Sequence, residues 1–372
     1  MAEPTSGFAR LGRSLAPLLQ PVLAILTALA VGVVIIMAIG KDPVSAYQSF
    51  LVASFTSRVR FGNMLATATP LILTGLAVAV SFQAGVFNIG AEGQLYLGAF
   101  WAAVTAVHLA SLPAPLVILL SLAVGVLAGA LWGFLPGWLR AFLHVNEVVS
   151  TIMLNYVAML LTEYLVNHPF KDPTAGAPMT RMIPPREWLG SLLPPSSAHW
   201  GLVVAIGTVV VVAFLLGRTV WGQYLRFVGQ NPHFAEYEGI PVRRVLVGAM
   251  TLSGAIAGLA GAVQVLGINH RFIQGFSPDF GFTGVTVALL GRINPWGAAV
   301  AGVFYAVLIN GASIMQQNTS VPYSLVSILQ GILVLFMTAE GWVWLRRRRR
   351  QASPPARAAE PQAGAVEGGA GT

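Results

Sequence analysis

Long apolar segments follow one another along most of the chain, and each is about as long as a helix that crosses a lipid bilayer. Such a helix needs about 20 consecutive, mainly apolar residues. We predict ten spans, at residues 20–40, 63–82, 86–108, 114–136, 146–167, 200–217, 245–267, 279–291, 296–315 and 322–345. The sequence therefore indicates an all-α, polytopic membrane protein whose transmembrane domain covers residues 20–345.

The scarcity of charged residues excludes most other architectures. Only 9% of the 372 residues are charged and 56% are hydrophobic, whereas soluble domains average about 25% charged residues. This composition excludes an ordinary soluble enzyme and a disordered chain. The small residues Ala38 and Gly40 resemble a signal-cleavage site, but the first apolar run is long for a signal and nine more follow. We therefore expect an uncleaved span.

The distribution of positive charge predicts the orientation in the membrane. If the N-terminus is cytoplasmic, 14 of the 21 Lys and Arg residues lie in inside segments, as the positive-inside rule requires. We therefore place both termini in the cytoplasm, with residues 1–19 as an N-terminal segment and residues 346–372 as a basic, disordered tail. The run Arg346–Arg350 is typical of an anchor on anionic membrane lipid. Because the net charge of +8 comes from loops and this tail, we expect no nucleic-acid partner.

Residue types that are missing exclude several kinds of chemistry. The chain has no cysteine, which excludes disulfides, thiolate metal sites and cysteine nucleophiles. Its two lysines, Lys41 and Lys171, both lie outside any phosphate-binding loop of the G-x-x-x-x-G-K-[ST] kind. The sequence also lacks a His-Glu-x-x-His cluster. We therefore expect a protein without catalytic residues, metal or cofactor that does not hydrolyse ATP itself.

Three segments place polar side chains inside predicted spans. In Phe87–Gln94, glycines and polar residues interrupt an apolar run, and a carboxylate such as Glu92 is costly inside a membrane. In Asn146–Asn155 the polar residues fall within about 140° of a helix, and the second span carries a polar stripe about 60° wide. These side chains either line a translocation pathway or tie helices together by hydrogen bonds. The candidate pathway residues are Asn63, Thr67, Thr74, Asn88, Glu92, Gln94, Glu147, Ser150, Thr151 and Asn155.

Glycine spacing gives two further predictions. Glycines recur at every fourth residue from Gly125 to Gly137, and Gly254 and Gly258 repeat the spacing, which predicts faces for close helix packing. The span at 279–291 is too short, since Ser277 to Arg292 makes about 22 Å of helix against a core of about 30 Å. Glycine-interrupted segments in both halves of a transporter are typical of its pathway, and here they are Gly85–Gly93 and Gly291–Gly297.

Two connections between spans are long. Residues 168–199 are predicted to lie outside, and their many prolines and glycines predict no helix, so this loop is either a docking surface or a lid. Residues 217–244 are predicted to lie inside. There Asn231 is a good N-cap, Pro232 fits a first helical turn and Gly239 fits the left-handed position after a last turn. These signals predict a short cytoplasmic helix over Pro232–Glu238.

Four motifs in this order resemble the membrane permease subunit of bacterial ATP-binding-cassette importers. They are Phe87–Gln94, Asn146–Tyr156, the segment Gly229–Pro232 with Gly239 and Ile240, and Ala288–Pro295. The first two resemble the branch that serves nucleosides and simple sugars, whose relatives also carry branched-chain amino acids.

The resemblance implies an assembly and a mechanism. Two cytoplasmic ATP-binding subunits, a second permease that is the same or homologous, and an extracytoplasmic substrate-binding lipoprotein are its implied partners in a bacterial cell membrane. It also implies that Asn231–Gly239 is a coupling helix seated in a groove of the ATP-binding subunit, and that alternating access moves the cargo. Relatives usually carry small or basic residues where this chain has Phe234, Glu236 and Glu238, and Gln83 stands where a basic residue is common. The coupling candidates are Arg226, Asn231, Pro232, Phe234, Glu236, Glu238, Gly239 and Arg243.

The cargo and the energy source leave alternatives. The few charges in the spans fit a small neutral solute, and a nucleoside needs hydrogen-bonding groups and apolar walls rather than fixed charges. A simple sugar or a branched-chain amino acid is the alternative cargo. A proton-coupled secondary transporter with Glu92 or Glu163 as carrier is the alternative mechanism, although such carriers usually hold several buried ionisable groups.

Overall fold

The computed structural model describes residues 30–319 together with Ile328 and Gly331. Within that part, helices dominate and extended structure is limited to two isolated β-bridges, Met179–Ile273 and Ser191–His199. The prediction of an all-helical protein is thus confirmed there. The predicted segment 1–19, the beginning of the span 20–40, most of the span 322–345 and the tail 346–372 lie outside the described residues.

The described residues form twelve α-helices, joined by shorter helical turns. They are α1 (30–38), α2 (Pro43–Tyr47), α3 (Arg58–Gln83), α4 (Ala91–His108), α5 (Ala114–Leu143), α6 (Glu147–Asn167), α7 (Gly201–Arg218), α8 (Val220–Gln230), α9 (Pro232–Tyr237), α10 (Val242–Gln264), α11 (Phe280–Leu290) and α12 (Pro295–Thr319). A π-helical turn, Val265–Asn269, continues α10.

Six described helices are long and apolar enough to cross a membrane: α3, α5, α6, α7, α10 with its π-helical turn, and α12. Three predicted boundaries are wrong by five residues or more. The span predicted at 63–82 already begins at Arg58. The span predicted at 86–108 begins only at Ala91, because residues 84–90 are not helical. The span predicted at 114–136 continues through Pro136 to Leu143 and ends where His144 takes a left-handed conformation. The segment predicted at 279–291 forms the 11-residue apolar helix α11, which is as short as the sequence indicated.

Helix α10 lies at the centre of the fold and packs against α3, α4 and α5. Its contact with α5 is made of glycines. A Cβ atom on Gly129 would collide with the carbonyl oxygen of Gly254, and one on Gly258 would collide with the carbonyl oxygen of Gly125. The prediction that these glycines form a close-packing face is therefore confirmed.

The helices differ in how much of their surface the chain covers. Helix α3 is buried from Thr69 to Ser81, whereas α5 exposes large apolar side chains such as Leu119 and Leu131. Helices α6 and α7 likewise expose apolar faces. We call the end of the molecule that carries α9 the α9 end, and the opposite end, which carries residues 168–199, the loop end.

Candidate translocation and coupling sites

The chain re-enters the fold between α3 and α4. Helix α3 ends at Gln83, Gly85 takes a positive φ of 73°, and the non-helical segment 84–90 then leads to the first turn of α4. There the N–H of Gly93 donates to Oδ1 of Asn155 at 2.8 Å. Asn155 lies eight residues after the first residue of α6, which is about 12 Å along that helix. Helix α4 therefore begins well inside the bundle rather than at its surface.

The N-termini of α4 and α11 meet at this depth. Glu92 in the first turn of α4 is fully buried, and its Oε2 accepts a hydrogen bond from the N–H of Gly281 at 2.5 Å. A Cβ atom on Gly281 would collide with the backbone of Glu92, so only glycine permits this approach. Unpaired N–H groups and the helix dipole favour a negative charge at a helix N-terminus. Glu92 thus connects two helices that both begin inside the bundle; we call this contact the Glu92 junction.

A buried polar network holds the re-entrant segment beside the Glu92 junction. Asn88 and Gln94 bond each other through both amide groups, at 2.9 and 3.2 Å. The Nδ2 of Asn88 also donates to Oγ of Ser253 in α10 at 2.8 Å. The hydroxyl of Ser253 in turn donates to the carbonyl of Ala77 in α3 at 2.6 Å. Three helices and the segment are therefore joined by one satisfied network.

The predicted residues of α6 lie on the other side of the same segment. Asn155 donates through Nδ2 to the carbonyl of Ile89 at 2.8 Å. The hydroxyls of Ser150 and Thr151 donate to the carbonyl of Glu147, at 3.2 and 2.6 Å. The carboxylate of Glu147 pairs with Nε of Arg140 at 3.1 Å. In the described chain these side chains bond to the protein itself, as the helix-tying alternative expects, and a pathway role for them remains a prediction.

The polar stripe of α3 does not converge on one point. Thr74 packs against Gly284 of α11, one turn from Gly281, and its hydroxyl donates to the carbonyl of Pro70 at 2.9 Å. Asn63 lies at the loop end instead, where its Oδ1 accepts from the N–H of Ser197 at 3.0 Å. Thr67 donates to the carbonyl of Asn63 at 3.2 Å. The structure thus brings Thr74 to the Glu92 junction and leaves Asn63 and Thr67 apart from it.

The predicted coupling helix is present as α9. The side chain of Asn231 caps it by accepting from the N–H of Phe234 at 3.1 Å, Pro232 occupies its first turn, and Gly239 follows it with a φ of 75°. Glu238 is its C-cap rather than its last helical residue. Phe234, Glu236 and Glu238 are exposed. Tyr237, which the sequence did not single out, is 91% exposed.

The two flanking arginines contact their own chain. Arg226 lies in α8, a helix that the sequence did not predict, and its guanidinium donates to the carbonyl of Leu216 at the end of α7. Arg243 lies 5.6 Å from the ring centre of Phe142, a cation–π distance. Both arginines therefore support the position of α8 and α10, and the free surface of the coupling segment is that of α9.

The α8–α9 unit touches the beginning of the re-entrant segment. A Cβ atom on Gly229 would collide with the carbonyl oxygen of Gln83, so the end of α8 and the end of α3 are in direct backbone contact. The amide of Gln83 donates to the carbonyl of Ile293 at 3.0 Å, in the turn between α11 and α12. The contacts of Gly229 and Gln83 thus connect α9 with both elements that form the Glu92 junction.

Comparison with known proteins adds the family. Residues 60–338 match the family described as the branched-chain amino acid transport system permease component. The chain belongs to this permease family. A glucose ABC transporter permease protein of Haloferax volcanii is 39% identical over 85% of this chain and 86% of its own length. The corresponding values are 34%, 87% and 91% for a nucleoside ABC transporter permease protein of Lactococcus lactis. They are 36%, 88% and 94% for a guanosine ABC transporter permease protein of Bacillus subtilis.

Two more distant likenesses complete the comparison. A second permease protein from each of the same three organisms matches this permease at 26–28% identity. Among solved structures, an inward-facing metal-chelate type ABC transporter aligns with 88% of this chain and 98% of its own, at a TM-score of 0.43 and 16% identity. That structural likeness is too distant to carry an argument.

Family membership settles the general role. The chain is a multi-pass membrane permease subunit of an ATP-binding-cassette transporter, and such transporters include separate ATP-binding subunits and a substrate-binding protein. The relatives are permease subunits rather than ATPases, and they do not favour the proton-coupled alternative.

Proposed function

We propose that this permease forms half of the translocation pathway of an ATP-driven importer and that α9 couples it to a cytoplasmic ATP-binding subunit. The observation that carries the proposal is a capped, surface-exposed helix that directly follows α8, whose Gly229 contacts the beginning of the re-entrant segment that leads to Glu92. In the proposed topology the chain has ten spans and both termini in the cytoplasm of a bacterial cell. The α9 end then faces the cytoplasm and residues 168–199 lie outside.

The cargo that we propose is a nucleoside. Two of the relatives above are named for nucleosides or guanosine, and a neutral, flat molecule suits spans with few charges. A simple sugar is the second candidate, favoured by the Haloferax volcanii relative. We further propose that the second permease is a homologue, since each of the three organisms has two matching permease proteins. The delivering protein is proposed to be a substrate-binding lipoprotein.

Movement is proposed to pass from α9 to the pathway through backbone contacts. When the ATP-binding subunits close, α9 moves with its groove, and α8 moves with it. The contact of Gly229 with Gln83 passes that displacement to the re-entrant segment and to the turn before α12. The space between α4 and α11 then opens when the hydrogen bond from Gly281 to Glu92 breaks, and it closes when that bond forms. In this account Glu92 acts as a gate rather than as a proton carrier.

Charge reversal on α9 tests the coupling role. Glu236→Lys combined with Glu238→Lys places two positive charges on the face that we expect to meet a basic groove, so uptake and cargo-stimulated ATP hydrolysis are expected to be lost while membrane insertion is unchanged. The control, Glu360→Lys with Glu367→Lys, makes the same charge change in the C-terminal tail and is expected to leave uptake intact. Unchanged uptake in the α9 variant would refute the role.

The gate is tested separately at Glu92. Glu92→Gln keeps the size of the side chain but removes the charge that strengthens the hydrogen bond with Gly281. We expect ATP hydrolysis to continue while uptake per ATP falls, measured in proteoliposomes with the partner subunits. A wild-type ratio of uptake to hydrolysis would contradict the gate and leave the coupling helix unaffected.

A further inference from the structure

A cavity of about 430 Å³ opens at the loop end, between the last turns of α4 and the beginning of the loop 168–199. We call it the cationic cavity. Lys171 and Arg181 supply its charge, His108 and Phe170 line its wall, and none of its described lining residues is acidic. In the described part of the chain neither Lys171 nor Arg181 forms an ion pair.

A carboxylate near the cavity only partly offsets these cations. Asp172 interacts electrostatically with Arg181. Its Oδ1 already accepts from the N–H and the hydroxyl of Thr174, at 2.9 and 2.7 Å. One cation therefore remains without a counter-charge, and Arg271 lies close enough to interact with the same carboxylate. The cavity is electrostatically suited to an anion.

A second, almost wholly apolar depression of about 600 Å³ lies further along α4, between α4, α5 and α6. We call it the apolar groove. Leu97 and Trp101 line it from α4, Leu127 and Leu131 from α5, and Leu161 from α6. Leu127 and Leu131 are 59% and 71% exposed, so this part of the surface has no cover within the described chain.

The two depressions lie along a single face of α4. Positions 97, 101, 104 and 108 fall within about 60° of each other on a helix. Leu97 and Trp101 line the groove, and Val104 and His108 line the cavity. Phe170 links them, with its ring centre 6.3 Å from that of Trp101 and 6.2 Å from that of His108. From Leu97 to His108 the face is about 16 Å long, close to the thickness of one leaflet of about 15 Å.

We propose that the cationic cavity and the apolar groove together bind one anionic phospholipid, with its phosphate at Lys171 and Arg181 and an acyl chain in the groove. A cationic mouth above an apolar channel complements a negative headgroup attached to a hydrocarbon chain. Trp101 lines the groove next to Phe170 of the cavity and offers an apolar wall to the acyl chain. The choice of leaflet, here the outer one, is the only part of this proposal that rests on the proposed topology.

The test counts lipids on the purified transporter after mild detergent washing from an equimolar mixture of phosphatidylglycerol and phosphatidylcholine. Wild-type protein is expected to retain phosphatidylglycerol preferentially. Lys171→Gln with Arg181→Gln should reduce that preference roughly tenfold or more, because each cation near a lipid phosphate favours binding about fivefold. The matched control, Lys41→Gln with Arg58→Gln, removes two charges at the same end outside the cavity and should retain the preference.

Two further arms identify what occupies the site. Ala128→Phe fills the apolar groove and should reduce lipid retention with the cations still in place, whereas excess glycerol 3-phosphate should not displace the lipid. Three outcomes would each overturn the proposal. They are equal retention of both lipids by the wild type, equal losses of lipid in the charge variant and its control, and displacement of the lipid by glycerol 3-phosphate. So would a charge variant that binds the substrate-binding protein more weakly but keeps its lipid, because the surface would then dock a protein. None of these outcomes depends on uptake.

Discussion

The two long connections of the permease are held in place in opposite ways. At the α9 end, residues 217–244 form short helices whose caps come from neighbouring residues: Thr219 for α8 and Asn231 for α9. At the loop end, residues 168–199 have only one helical turn, Pro185–Glu187, and depend on a distant part of the chain. The N–H groups of Thr180 and Ile183 donate to the carbonyls of Phe272 and His270, at 2.9 and 2.8 Å.

Because of this difference, α9 presents an exposed surface to a partner, whereas much of the loop 168–199 is packed against its own chain. Helix α9 takes its cap from its own segment and exposes Phe234, Glu236 and Tyr237 to solvent. The loop instead folds back on residues 266–274 and buries Ile183 and His199. A locally stabilised helix can move as a unit with a partner, whereas the loop can open only by breaking its contacts with the segment that leads to α11.

The largest effect is expected from a substitution in α10. This helix follows the connection 217–244 and precedes residues 266–274, with which the loop 168–199 pairs. Gly258→Leu would drive a side chain into the backbone of α5, and overpacking of this kind costs about 1–3 kcal/mol or more. We expect little folded protein by size-exclusion chromatography. Gly207→Leu in α7, where a Cβ atom meets nothing within 4 Å, is the control and should fold. Equal yields of the two variants would contradict the packing assigned to α10.

Acid should loosen the loop end and leave the α9 end unchanged. Burial, and then the neighbouring His270, lower the pKa of His199 from 6.5 to about 4. Its Nδ1 accepts from the N–H of Gly201 at 3.1 Å, which requires that nitrogen to be unprotonated. The neutral form therefore stabilises the fold fully above pH 6.5, and this contribution is lost as the pH falls toward 4.

Hydrogen exchange at several pH values measures this effect. After correction for the intrinsic pH dependence of amide exchange, we expect lower protection of residues 180–199 at pH 5 than at pH 7.5, with no matching change in α9. His199→Gln, which cannot be protonated in this range, should remove the difference. A loop whose exchange has the same pH dependence in wild type and variant would show that another group controls it.

The smallest effect is expected from the cap of α9. Asn231→Ala removes the side chain that bonds the N–H of Phe234 and should cost about 1 kcal/mol, as typical N-cap losses do. Uptake should fall modestly because α9 frays, while the loop end keeps its exchange rates. Asp42→Ala removes an equivalent cap from α2 and should leave uptake unchanged. The same loss of uptake in both variants would mean that caps act on stability alone.

The sequence predicts what depends on near neighbours. The cap at Asn231, the left-handed Gly239 and the four-residue glycine spacing are local signals, and the structure confirms what they predicted. The early start assigned at residue 86 and the end at residue 136 were wrong. Apolar composition alone does not reveal that residues 84–90 are not helical, or that Pro136 is tolerated inside a helix.

What depends on distant residues was not predicted. Ser253 belongs to the network of Asn88, but a single serine in an apolar helix gives no such signal. Gly229 and Gly281 matter because backbone from elsewhere in the chain approaches them, and the path of the loop over residues 266–274 is set by pairing between remote segments. The sequence identified the polar candidates by their residue type, whereas their hydrogen-bond partners could be identified only from the structure.

The most direct test of the account is the side of the membrane that α9 faces. The chain has no native cysteine, so Tyr237→Cys in α9 and Lys171→Cys in the loop each give a single thiol. A membrane-impermeant maleimide added to intact cells is predicted to label Lys171→Cys at once and Tyr237→Cys only after permeabilisation. Labelling of Tyr237→Cys in intact cells, with Lys171→Cys protected, would contradict the proposal that α9 meets a cytoplasmic ATP-binding subunit.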